Sequence, residues 1–195
     1  MLRQETKRLF IAVELAPHLK DAIHSLMEKL KAEDSHSSIR WVSYGDLHVT
    51  LKFLGETPTT KIPDIENAIK TAVADKRQFE LSLSGVGTFP GGHRPSVFWV
   101  GVKDPNDSLV ELANAVFDEC AVRGFPKESR PFAPHITVGR TRDRADVEDL
   151  VKIASLLKSI SLRPESQIID NVSLIHSLLT PKGPIYRTLS TVPLR

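Results

Sequence analysis

Two tetrapeptides, His48-Val49-Thr50-Leu51 and His135-Ile136-Thr137-Val138, share the form His-apolar-Thr-apolar and fall in opposite halves of a 195-residue chain. Successive residues of a strand point to opposite faces. In each copy the imidazole and the hydroxyl therefore share one side, and the apolar pair takes the other. Imidazole titrates near neutrality, so of two facing rings one can hold a proton to give while the other is free to take one. Threonine hydroxyls, with an Arg or Lys, can hold the non-bridging oxygens of a phosphate. A phosphodiester suits this equipment, because its cleavage needs in-line attack and protonation of the departing oxygen. Each assisted proton transfer contributes roughly 10²–10⁴-fold. Neither motif carries a carboxylate at ligand spacing, so neither a metal nor a cofactor is called for.

A single His-x-Thr in a strand reads as a satisfied or half-exposed histidine, and the weight here comes from the duplication. The other five histidines lack it. His18, His24 and His36 fall in or after the first helix and read as surface residues, His93 sits in a Gly-rich loop with no partner, and His176 alternates with Leu174 and Leu178 as a structural residue. Among the basic residues, Lys52 follows Thr50 at i+2, so strict alternation turns it toward the cleft, with a solvated rim charge as the competing role. Strict alternation turns Arg140 away from His135 and Thr137, unless Gly139 bends or bulges the strand. Arg40 and Arg130 precede the motifs and stand open between phosphate contacts and ordinary surface charges. Phe10, Trp41, Phe53 and Tyr186 could stack on a base, but burial in the core is the stronger expectation for each.

The elements that must position these residues recur in one order. The first half reads as a strand over 8–15, a helix opened by Pro17 with Leu19, Ile23, Leu26, Met27 and Leu30 on one face, and a polar loop over 33–38. Arg40-Trp41-Val42, a turn at Gly45-Asp46, and a strand over 47–54 ended by Gly55 carry the first motif. A helix over 62–74 and a strand over 79–84 follow. After the breaker Pro90-Gly91-Gly92 come a strand over 97–102 and a helix capped by Asp107 or Ser108. That helix carries Leu109, Leu112, Val116 and Val122 and is stopped by Gly124. Pro131-Phe132-Ala133-Pro134 leads into the second motif strand, closed by Gly139-Arg140. A helix over 147–160, a strand over 168–178 and a strand over 185–189 after the Pro181-Lys182-Gly183-Pro184 turn complete the chain. The expected fold is α+β, with two β-α-β-α-β lobes related by a pseudo-twofold axis and antiparallel or mixed sheets facing a central cleft. It is one bilobal domain over 1–195, with approximate lobes 1–90 and 91–195 between which strands can cross.

Composition bounds the reading without naming a partner. Hydrophobic residues at 41% and charged residues at 26% are ordinary for a globular chain, and a net charge of +2 merely permits a polyanionic substrate. The single cysteine, Cys120, rules out an internal disulfide and reads as a small core residue. The N-terminus is charged, without the apolar stretch of a signal peptide, and no run is long enough to span a membrane. A soluble, cytoplasmic protein is expected, and nothing in the sequence requires more than a monomer.

The chain resembles the two-histidine (2H) phosphoesterases, and more narrowly the bacterial and archaeal RNA 2′,3′-cyclic phosphodiesterases, also called 2′-5′ RNA ligases. The resemblance covers nearly the whole sequence. It rests on Arg8-Leu9-Phe10-Ile11-Ala12-Val13, Arg40-Trp41-Val42, His48-Val49-Thr50-Leu51-Lys52-Phe53-Leu54-Gly55-Glu56, Val97-Phe98-Trp99-Val100-Gly101-Val102, Phe132 through Arg140, and Pro181 through Tyr186. It implies metal-independent hydrolysis of a terminal 2′,3′-cyclic phosphate on RNA to a 2′-phosphate, and a reversible joining of tRNA halves through a 2′-5′ linkage. It further implies His48 as proton donor to the leaving 3′ oxygen, His135 as the acceptor that activates water, Thr50 and Thr137 as phosphate ligands and Arg140 as a helper. Two readings compete. One is another member of the same superfamily, acting on small cyclic nucleotides or 2′-5′ oligoadenylates. The other is a non-catalytic RNA-binding module.

Overall fold

Five consecutive buried residues, Leu9 to Val13, give β1 (Thr6–Glu14) two covered faces, which suits a strand in the interior of a sheet. A computed structural model describes residues 5–92, 94–181 and 183–195, so His93, Lys182 and the first four residues of the charged N-terminus lie outside the described residues. Pro17 opens α1 (Pro17–Lys31), where a missing N–H costs nothing, and the five apolar residues read from the sequence are the five buried ones. There follow β2 (Ile39–Trp41), a 3-10 turn over Tyr44–Asp46, β3 (His48–Pro58), α2 (Ile62–Val73) and β4 (Phe79–Phe89). The second half contributes β5 (Val97–Lys103), α3 (Ser108–Val122), β6 (His135–Thr141), α4 (Val147–Ser159), β7 (Ser166–Ile169), β8 (Asn171–Thr180) and β9 (Gly183–Pro193).

The fold is α+β: a curled antiparallel sheet with four helices. Its strand order is β7-β4-β5-β6-β3-β1-β8-β9, with β2 attached to β6. That order reads the same outward from the β6–β3 junction, so β6 corresponds to β3, β5 to β1, β4 to β8 and β7 to β9. Strand β4 pairs with β5 and strand β8 with β1, so each half of the chain lends a strand to the other. Buried residues of all four helices join Leu9, Ile11, Val49, Phe98 and Ile136 in one core on one face of the sheet. At roughly 1.5–3 kcal/mol for each fully buried large aliphatic side chain, this face supplies most of the stability. The opposite face holds a small cluster of Phe10, Ala12 and Ile175 with Tyr186 against it, and is otherwise open.

Several local expectations change. Gly55 does not end β3; it adopts φ +70 within a bulge, where Leu9 faces Gly55 and Phe10 faces Phe53, and the strand runs on to Pro58. Neither Asp107 nor Ser108 caps α3 through its side chain. The Asp104 carboxylate does so, accepting from the Ser108 and Leu109 amides at 2.6 and 3.2 Å. Val122 is exposed, because it follows buried Cys120 by two residues, roughly 200° round the helix, and so faces away from the core. The single strand over 168–178 is two strands broken at Asp170, with β7 on β4 and β8 on β1; alternation alone does not reveal a change of partner. Cys120 is fully buried, and burial pushes its thiol up to about 11.

Candidate active site

The two motif strands meet at one residue pair, Val49 opposite Ile136, both fully buried. Residues paired across a ladder share a face, so extending this antiparallel register one step each way puts His48 beside Thr137 and Thr50 beside His135. All four side chains thus lie on the open face, each half-buried. The apolar members of the motifs anchor the junction, and the polar members ride above it.

Both imidazoles are oriented in the same manner. The Nδ1–H of His48 donates to the Asp46 carbonyl at 2.6 Å, and that of His135 to the Ala133 carbonyl at 2.7 Å. A carbonyl can only accept, so Nδ1 carries the proton and Nε2 is left as the working nitrogen. The Thr50 hydroxyl lies 2.9 Å from His48 Nε2 and donates to it when the ring is neutral. Aromatic rings pack each imidazole. Phe10 stacks on His48 at 4.9 Å with Tyr186 edge-on at 5.4 Å, while Phe89 meets His135 edge-on at 5.2 Å and leans on Trp99.

This packing sets the protonation states. Burial holds His48 well below its ordinary value, at about 4, opposed by the Asp46 carbonyl and the Glu14 carboxylate and reinforced by Lys20 and Arg140. Burial also lowers His135, with the Ala133 carbonyl opposing and Arg140 reinforcing. Both rings are neutral in the unliganded protein at pH 7, and an arriving anion is what favours a proton on either one.

A bulge at the fourth position of each motif decides which basic residues reach this face. On β3 the pairing with β1 steps from Ile11–Lys52 to Ala12–Thr50, leaving Leu51 unpaired. On β6 the pairing with β5 steps from Phe98–Gly139 to Trp99–Thr137, leaving Val138 unpaired. The extra residue shifts alternation by one. Lys52 is therefore turned away from the open face, contrary to the i+2 expectation. Its Nζ is buried under α3, 2.8 Å from Glu128 Oε1 and 2.9 Å from the Pro126 carbonyl, above the Phe117 ring. The same shift brings Arg140 onto the open face, where it is exposed and its charge acts on both imidazoles. Gly139 fits the site because a Cβ there would lie 2.6 Å from Ile39 Cγ2. At the position equivalent to Arg140 the first motif has Phe53, 59% exposed and 6.0 Å from Phe10.

Phe10 and Tyr186 reach the site, while Trp41 packs toward Phe98 and gives its indole N–H to Asp34 at 3.0 Å. His18, His24 and His176 are elsewhere; His36 is exposed but bonds the buried Asp149 at 3.1 Å. Sequence reading missed Glu14, which pairs with His48, and the Phe89–Trp99 pair. Glu14 was legible from its alternation with Phe10 and Ala12; Phe89 was not, because it depends on β4 joining β5. A cavity of about 100 Å³ beside His48 is lined by Glu14, Lys20, Asp46, Ile175 and Tyr186. A larger one of about 360 Å³, between α1 and residues 160–165, contains no motif residue. Among the described residues, one group, His36, Asp146 and Asp149, has potential metal-ligand atoms within 4.8 Å of one another. Its carboxylates are already engaged, Asp149 by His36 and Ser38 and Asp146 by the first amides of α4. No helix among the described residues is long and apolar enough to cross a membrane.

Known proteins resemble this chain in sequence and in fold. Residues 19–178 match the family model described as the 2′-5′ RNA ligase superfamily. A Methanothermobacter thermautotrophicus protein named RNA 2′,3′-cyclic phosphodiesterase is 34% identical over 92% of this chain and 94% of its own. One of the same name from Thermotoga maritima is 34% identical over 93% of this chain and 92% of its own. The crystal structure of E. coli LigT complexed with 3′-AMP superimposes with a TM-score of 0.73 at 26% identity, covering 97% of this chain and 99% of that one.

Proposed function

Since this chain belongs to the 2′-5′ RNA ligase superfamily, we propose that it is an RNA 2′,3′-cyclic phosphodiesterase that works by two-histidine acid–base catalysis without a metal. The observation that carries the reading is the pair of Nδ1-anchored imidazoles brought to one face by the Val49–Ile136 pair, with the Thr50 hydroxyl on His48 Nε2 and the Arg140 charge acting on both rings. The cyclic phosphate sits between the two rings, its non-bridging oxygens held by Thr50, Thr137 and Arg140. His135 Nε2 takes a proton from water as the water oxygen bonds to phosphorus. The P–O3′ bond breaks, and protonated His48 gives its Nε2 proton to O3′, leaving a 2′-phosphate and a free 3′-hydroxyl. Glu14 opposite His48 favours the cation there and supports His48 as the donor once the substrate anion is in place. With a 5′-hydroxyl in place of water, the same transfers would join two RNA ends through a 2′-5′ linkage, as with tRNA halves.

His48→Ala and His135→Ala are each expected to slow hydrolysis of an RNA ending in 2′,3′-cyclic phosphate by about 10²–10⁴-fold, with the thermal midpoint retained. Activity is expected to persist in excess EDTA. Wild-type rates in either variant, or loss of activity with EDTA, would overturn the mechanism. A panel of cyclic-ended RNA, free cyclic nucleotides and 2′-5′ oligomers separates this reading from its relatives. RNA affinity without turnover on any of them would instead identify a binding module.

A further inference from the structure

Arg40 and Arg140 are direct cross-strand partners on β2 and β6. Their neighbours Ile39 and Trp41 pack into the core, so both guanidiniums stand on the open face with the motif side chains, and both residues are exposed. Like charges set directly opposite each other destabilise a sheet. Among the described residues, no carboxylate lies within ion-pairing distance of either one. Such a pair is suited to an anion supplied from outside.

Arg140 acts on both imidazoles. Arg40 acts on Tyr186: burial raises that phenol, Asp46 adds to the rise, and Arg140, Arg8 and Arg40 oppose it. Strand β5 holds one edge of β6 over His135–Arg140, so β2 takes the other edge just beyond the point where β3 parts from it. Arg40 therefore sits in the line along which the two halves of the sheet diverge. Its Cα lies roughly 5 Å from that of Arg140 across the ladder, so with Arg140 on the terminal phosphate the Arg40 guanidinium is free to meet the next anion along the chain.

We propose that Arg40 seats the phosphodiester on the 5′ side of the terminal nucleotide, so that the site selects the end of an RNA chain over a free cyclic nucleotide. This rests on the phosphodiesterase reading above and adds a specificity determinant to it. The test compares three substrates: a nucleoside 2′,3′-cyclic phosphate with a 5′-hydroxyl, a dinucleotide ending in the same cyclic nucleotide, and that dinucleotide with a neutral methylphosphonate linkage. Wild-type enzyme is expected to prefer the charged dinucleotide. Arg40→Gln is expected to lower the ratio of kcat/KM for charged dinucleotide over mononucleotide roughly ten- to a hundredfold, the range of one hydrogen bond to a charged group, chiefly through KM. Arg40→Lys should recover part of it, and the methylphosphonate should be indifferent to either change. A ratio that does not move in Arg40→Gln, or a wild type that hydrolyses mononucleotide and dinucleotide equally, overturns this assignment and leaves the phosphodiesterase reading standing. A wild type that hydrolyses none of the three overturns that reading and this assignment with it.

Discussion

His48 and His135 each spend one nitrogen on a main-chain carbonyl two residues upstream, and that shared contact leaves Nε2 as the nitrogen turned to the open face. The cost of the arrangement is electrostatic. An unfolded chain protonates His48 near its ordinary value of 6.5, whereas the folded protein resists the proton down to about 4. Between those values the unfolded state holds more protons, so stability is retained above pH 6.5 and falls as the pH is lowered toward 4. His135 is shifted in the same direction, and the raised value of His36 acts in the opposite one. Comparing wild type with His48→Asn isolates the single group. Urea denaturation at pH 7 and pH 5 is expected to show a larger loss for the wild type than for the variant. Equal losses would mean that His48 is not held neutral by burial.

At the scale of elements, two bulges do what alternation cannot. Placing an extra residue at Leu51 and at Val138 turns Lys52 into the core and Arg140 out of it. Close packing of β2 on β6 holds the second of these in place, and Gly139 is the residue that permits it. Gly139→Ala would set a Cβ 2.6 Å from Ile39 Cγ2 and 3.2 Å from Trp41 Cε3, an overpacking cost of about 1–3 kcal/mol. Gly45→Ala, with nothing within 4 Å of its Cβ, is expected to stay within about 0.5 kcal/mol of wild type. A chemical-denaturation comparison in which the two variants behave alike would remove this account of the β2–β6 seam. The motif strands, the four helices and the repeated order were legible in the sequence, because burial of one face writes itself into spacing. The side taken by Lys52 was not, since a bulge is a property of the pairing and not of either strand. The break at Asp170 was hidden for a related reason: β7 and β8 are both good strands, and only their partners differ.

At the scale of the molecule, the site exists because the two halves are incomplete alone. His48 and Thr50 come from one half and His135, Thr137 and Arg140 from the other, joined along β6 by the Val49–Ile136 pair and the three pairs of β2. So short a junction would be a weak hinge if each half closed its own sheet. Instead β4 extends the sheet of the second half through β5 and β7, and β8 covers β1 of the first half and carries β9. A fragment of residues 1–90 would leave β1 without β8 and β4 without either neighbour, exposing apolar strand edges that favour aggregation. The fragment is expected to lack a cooperative melting transition, whereas the whole chain should unfold in one step seen alike by near- and far-UV circular dichroism. Co-expression of 1–90 with 91–195 should recover a complex with hydrolytic activity, since every strand then has its partner again. Cooperative melting of the isolated 1–90 fragment would show that the exchanged strands are dispensable, and the rigidity that holds the two histidines in register would then need another source.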